Sequence, residues 1–231
     1  MPTNHSAHHA PWRLIAWLVF MLLLTALNYA GQHAGDDPPD DLAYRYSTAI
    51  LAVVQYGIFL AIVALIAWGT PTRETFALRR PSSWTRALGL VGAVLAVIWL
   101  TSLVYASVLS LFTDTNPSDE QNLVPDGWDS SRAGAFVAFF VAVTFLGPIV
   151  EELMFRGLGY GLFEPYGRWT AILVTSLVFG LYHGLLVALP VLVVVGLGLA
   201  WLRARTSSIY PPMILHIVFN GVALIASVAF L

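Results

Sequence analysis

Residues 133–157 read AGAFVAFFVAVTFLGPIVEELMFRG. An apolar run at 133–150 leads straight into Glu151 and Glu152, with Arg156 and Gly157 just beyond. A helix needs about 20 mostly apolar residues to cross the hydrocarbon of a bilayer, so 133–150 is read as a membrane span. A charge at the bilayer centre costs roughly 3 kcal/mol even on a lenient insertion scale, which makes ionisable residues against such a run functional candidates. Glu152 and Arg156 are four apart and share a helix face, so they can pair. Glu151 lies about 100° round the helix and is free to point elsewhere. Pro148 has no amide to donate and crowds the carbonyl of Thr144, which predicts a kink just before the carboxylates.

Working outward from this stretch, three earlier apolar runs at 12–30, 46–68 and 87–112 are long enough to span. The region 169–202 is apolar but interrupted by His183, Gly184 and Pro190, which predicts a hairpin of two short helices. Such helices would thin the bilayer locally and admit water. A last run at 210–231 opens with Pro211 and Pro212, where missing amide donors cost least. The fold expected is an all-α, polytopic transmembrane helix bundle of about seven spans. It is read as one integral-membrane domain over 1–231, with three N-terminal spans in 1–132 and a four-span core in 133–231. The apolar run from Leu14 to Ala30 exceeds the roughly 7 to 15 residues of a signal peptide, so it is expected to be an uncleaved anchor.

Composition agrees. Of 231 residues, 58% are hydrophobic and 10% charged, against roughly 25% charged in a soluble domain. With a mean hydropathy of +0.76 and a formal net charge of −2, neither a water-soluble globule nor a nucleic-acid binder is expected. The absence of cysteine excludes disulfides, thiolate metal sites and a cysteine nucleophile. All basic residues are arginines. With the N-terminus cytoplasmic, the inner loops collect Arg13, Arg73, Arg79, Arg80, Arg86, Arg156, Arg168, Arg203 and Arg205, leaving only Arg45 and Arg132 outside. The acidic residues Asp36, Asp37, Asp40, Asp41, Asp114, Asp119, Glu120, Asp126 and Asp129 fall in the outer loops. This bias fits a bacterial cytoplasmic membrane.

Two further polar sites interrupt apolar helices. In Ser176–His183 an imidazole stands at the end of a span, four residues from Phe179. In the last span His216 and Asn220 are four apart and share a face. Each feature has a plainer explanation, an interfacial ion pair for the glutamates and interhelical hydrogen bonding for the others. Their conjunction favours chemistry. His5, His8, His9 and His33 lie in a tail and an outer loop, where no site is expected. At about 1.5 Å per residue, His183 stands roughly 20 Å along from Trp169, whereas Glu151 is expected near the cytoplasmic end of its span.

A carboxylate in apolar surroundings holds a proton more readily than in water, which suits it to take one from water near neutral pH. Two imidazoles and a carboxamide supply what amide hydrolysis also needs, orientation of the water and donors for the oxyanion. One glutamate and two histidines equally make a catalytic zinc shell, with Glu151, His183 and His216 as its ligands. The spacing leaves both mechanisms open.

These residues resemble the motifs of the CPBP family, the intramembrane CAAX-prenyl-protease and bacteriocin-processing (Abi) proteins. Glu151-Glu152-Leu153-Met154-Phe155-Arg156 resembles E-E-x-x-x-R. Phe179 to His183 resembles F-x-x-x-H, and His216 to Asn220 the third motif, which ends in asparagine. The resemblance covers 133–231. It implies an intramembrane endopeptidase with a cavity open to the cytosol, acting on a peptide or membrane-protein substrate, lipidated or not, among membrane lipids. By the same resemblance Glu151 would activate water with help from His183, His216 and Asn220 would stabilise the oxyanion, and Glu152 and Arg156 would hold the first motif. The family is described both as metalloproteases and as glutamate proteases, so zinc stays open. The alternative is a non-catalytic immunity, scaffold or regulatory membrane protein. A proton-coupled transporter is weaker, because no matching broken half-helices are seen.

Overall fold

The computed structural model describes residues 11–33, 39, 41–115, 117 and 127–229. His5, His8, His9, Asp36, Asp37, Asp40, Asp119, Glu120 and Asp126 lie outside them. Seven helices carry the described chain: α1 (Pro11–His33), α2 (Tyr46–Ile66), α3 (Trp84–Leu109), α4 (Ser130–Tyr166), α5 (Arg168–Tyr182), α6 (Leu189–Thr206) and α7 (Tyr210–Ala229). Six are long and apolar enough to cross a membrane, and α5 is shorter. The protein is therefore an integral membrane protein, in keeping with its outward-facing leucines. Leu22, Leu51, Leu65, Leu100 and Leu103 all point away from the bundle and are more than half exposed.

The sequence places the starts and stops of these helices. Proline stands in the first turn of α6 as Pro190 and of α7 as Pro211 and Pro212, where its missing donor has no partner to lose. The Ser83 side chain accepts from the Arg86 amide at the head of α3. Between α4 and α5 only Gly167, at φ 112°, breaks the chain direction, a conformation that side chains resist.

Two expectations are corrected here. The fourth span does not end at 150, since α4 continues to Tyr166. The hairpin over 169–202 is not two short helices, because α6 has 18 residues and only α5 is short.

The extension of α4 moves the depth of the site. Glu151 stands fifteen residues before the end of α4 at Tyr166, and His183 fifteen residues after the start of α5 at Arg168. Glu151 therefore lies in mid-helix rather than at an interface.

The α4 helix is not uniform. It widens into π-helical turns at Ala142–Leu146 and Leu153–Gly159, on either side of the regular segment Gly147–Glu152. The first widening is the form taken by the distortion expected at Pro148. In this register the Gly147 amide bonds back five residues to Ala142, so the next carbonyl, Val143, would look to residue 148 for its donor. Residue 148 is proline and has none. The Asn220 carboxamide of α7 donates to the Val143 carbonyl instead, at 3.2 Å.

In the second widened stretch, the Trp17 indole N–H of α1 donates to Met154 O at 3.0 Å. The Arg203 Nε of α6 donates to Arg156 O at 3.2 Å. Side chains of three other helices thus hold α4, and a core of Trp17, Phe155, Leu158, Phe179 and Leu199 closes around it.

Candidate active site

Glu151, Glu152, Arg156 and His216 are all buried. Arg156 Nη1 donates to Glu152 Oε1 at 3.1 Å, the pair expected from their spacing. Arg156 Nη2 donates to the Gly196 carbonyl of α6 at 3.0 Å, and the guanidinium stacks over Phe179, 4.4 Å from the ring centroid. Close approach of α5 and α6 makes this possible. A Cβ on Gly196 would stand 2.9 Å from the Ser176 carbonyl, so the two backbones touch where only glycine fits.

His216 joins the two carboxylates. Its Nδ1 lies 2.9 Å from Glu152 Oε1, and its Nε2 faces Glu151 Oε2 at 3.7 Å. A carboxylate can only accept, so with Glu152 ionised against Arg156 the histidine carries a proton on Nδ1. Glu152 is thereby shared between a cation and an imidazole, while Glu151 keeps a gap in front of it. Among the described residues, Glu152 Oε2, Arg156 Nε and Thr144 Oγ1 are buried without a hydrogen-bond partner.

His183 caps α5 and is half-buried. Its Nδ1 lies 2.7 Å from the Phe179 carbonyl. A carbonyl oxygen accepts only, so Nδ1 carries the proton and Nε2 is the free nitrogen. The Phe179 ring stands edge-on between the two imidazoles, with centroids 4.7 Å from His183 and 5.7 Å from His216. Gly184 follows at φ 72° and presses against the backbone of Asn28 and Tyr29, while the Asn28 amide donates to Tyr182 O at 2.5 Å. In this way α1 pins the turn that carries His183.

Two side chains at the site carried no sequence signal of their own. The Tyr182 ring of α5 lies 5.5 Å from that of Phe155, one turn after Glu151. The Tyr56 hydroxyl of α2 reaches the α4 backbone at Gly147, one turn before Glu151. A hydroxyl on an otherwise apolar span was the hint available at both positions.

Glu151, His183 and His216 have the donor chemistry of a zinc shell, but their placement does not match it. Among the described residues no three His, Asp or Glu side chains converge closely enough to hold a metal ion.

Buried carboxylates, an ion pair and two oriented imidazoles make the class plain: a helical membrane protein with a buried polar core. Residues 133–222 match the family model described as "Type II CAAX prenyl endopeptidase Rce1-like". A relative in Bacillus subtilis (strain 168), described as "Putative membrane peptidase YdiL", is 26% identical over 221 residues, covering 90% of this chain and 85% of its own. No solved structure matches the chain. These residues are therefore similar to those of CAAX-type membrane endopeptidases.

Proposed function

We propose that the chain is an intramembrane endopeptidase in which Glu151 activates water for attack on a peptide bond. The observation that carries this reading is the unequal partnering of adjacent carboxylates. Glu152 is held by Arg156 and His216, whereas Glu151 faces His216 Nε2 across 3.7 Å. That separation is too long for a direct hydrogen bond and suits a bridging water.

Glu151 takes a proton from the water as its oxygen bonds to the carbonyl carbon, and later returns it to the leaving amine. His183, with Nε2 unprotonated, accepts from the same water and aims it. His216 donates from Nε2 to the oxyanion, and Glu152 at Nδ1 balances the imidazolium that this requires. Asn220 has two amide protons. One is spent on Val143 O, and the other serves the oxyanion. Arg156 holds Glu152 in place. The substrate class is a peptide or membrane-protein segment, lipidated or not, presented within the bundle.

The test is cleavage of a quenched peptide library, with and without a prenyl group, by the purified protein in detergent. E151Q is expected to lower kcat/KM by about 100-fold or more, with activity of the wild type unaffected by a strong chelator. Full activity in E151Q would overturn the mechanism. Chelator-sensitive cleavage restored by zinc would replace it with a metalloenzyme.

A further inference from the structure

We propose that Tyr182 of α5 and Tyr56 of α2 are positioning residues for Glu151, together fixing the carboxylate that faces the reaction space. This rests on the protease reading for its consequence, though not for its geometry. Tyr182 is buried, with its ring 5.5 Å from that of Phe155, one turn after Glu151 on α4. Tyr56 approaches the same stretch of α4 from the opposite half of the chain. A Cβ on Gly147 would lie 2.6 Å from the Tyr56 hydroxyl, and residues 147 and 151 share a helix face one turn apart. Tyr56 also interacts electrostatically with Glu151 and with Tyr182. The rings are locked from behind by Phe59 of α2, whose centroid lies 6.3 Å from Tyr56 and 6.5 Å from Tyr182.

The surroundings of Glu151 are thus divided by direction. Glu152 and Arg156 come from its own helix, His216 from α7, Tyr182 from α5 and Tyr56 from α2. The two phenols are the groups there that can donate without a competing ionic partner. A phenol bound to one carboxylate lone pair holds the rotamer and leaves another lone pair for the water. Gly147 then has a stated role, since any side chain there would displace Tyr56. The site also includes α2, which lies outside the matched residues 133–222.

The experiment uses the full-length protein in detergent with Y182F, Y56F and G147A, and two readouts. The first is modification of Glu151 by a hydrophobic carbodiimide, located by mass spectrometry, with the exposed Glu74 as internal reference. Uncovering the carboxylate should speed labelling of Glu151 about threefold or more in Y182F, and less in Y56F, with Glu74 unchanged. The second is peptide cleavage, where Y182F should lower kcat about tenfold with KM within about twofold, a split that mere unfolding would not give. Faster labelling without cleavage by any of the proteins, wild type included, would keep the positioning role and remove the protease reading. Labelling and kcat both at wild-type values in folded Y182F and Y56F would overturn the proposal. Should Y182F fail to fold, Y56F and G147A decide by the same labelling ratio.

Discussion

Arg156 has no solvent contact and satisfies three demands at once: the Glu152 carboxylate, the Gly196 carbonyl and the face of Phe179. Removing one member of a buried ion pair leaves the other uncompensated, which costs more than the pair is worth. R156M is expected to destabilise the protein by about 3 kcal/mol in detergent unfolding, and R156M/E152Q to recover part of that loss. Equal stability of wild type and R156M would refute the structural role given to the pair. The Glu152–Arg156 contact was legible from a spacing of four on a helix. The bridge from His216 to both glutamates was not, because partners 64 residues apart obey no local periodicity. Nor did spacing reveal that Asn220 donates to the Val143 carbonyl, since the vacancy there follows from a widened turn meeting a proline.

Among the elements, α4 and its outer connection show how local chemistry sets shape. Two widened turns free carbonyls that Asn220, Trp17 and Arg203 occupy, so the irregular helix is specified by its neighbours. At its outer end Asp129 accepts from the Ser131 amide and hydroxyl and from Arg132, and Arg132 in turn pairs with Asp41 at 2.8 Å. Tyr44 bonds the Gly127 carbonyl and receives the Asp129 amide. This clasp joins the start of α4 to the segment before α2. The Ser131 hydrogen bond, helped by Arg132, holds the Asp129 carboxyl at about 2, below its usual 3.8. A carboxyl depressed in the folded state contributes stability above its ordinary value and loses it as pH falls through the folded one. The stability difference between wild type and D129N should therefore be present at pH 5 and fade between about pH 4 and 2. A difference that stays constant across that window would exclude the clasp as its source.

At the scale of the whole molecule, Arg13, Arg79 and Arg203 gather around one cavity, whereas Arg156, also expected in an inner loop, is buried in mid-bundle against Glu152. Arg13 caps the end of α2 through the Ile66 and Trp68 carbonyls, Arg79 donates to Ser207 O at 2.5 Å, and Arg13, Arg79 and Arg203 line one cavity of about 380 Å3 with Glu74 and Glu164. Arg45 and Arg132 lie with Asp41 in the clasp beyond the outer ends of α2 and α4. Because the natural chain has no cysteine, single cysteines report topology directly. T75C should react with a membrane-impermeant maleimide only from the cytoplasmic side, and S131C only from the outside. The reverse pattern would invert the bundle.

Read alone, the sequence determined a membrane-embedded helical protein, the approximate spans and the three polar motifs, because hydropathy, proline placement and i, i+4 spacing are local properties. Only the tertiary structure decided that α4 runs on to Tyr166 and leaves Glu151 in mid-helix. It alone also showed that His216 divides its two nitrogens between the glutamates, and that Tyr56, from a span with no motif, reaches the site. Those facts depend on which carbonyls, rings and glycines meet across helices distant in the chain, and contact between distant helices leaves no periodic trace.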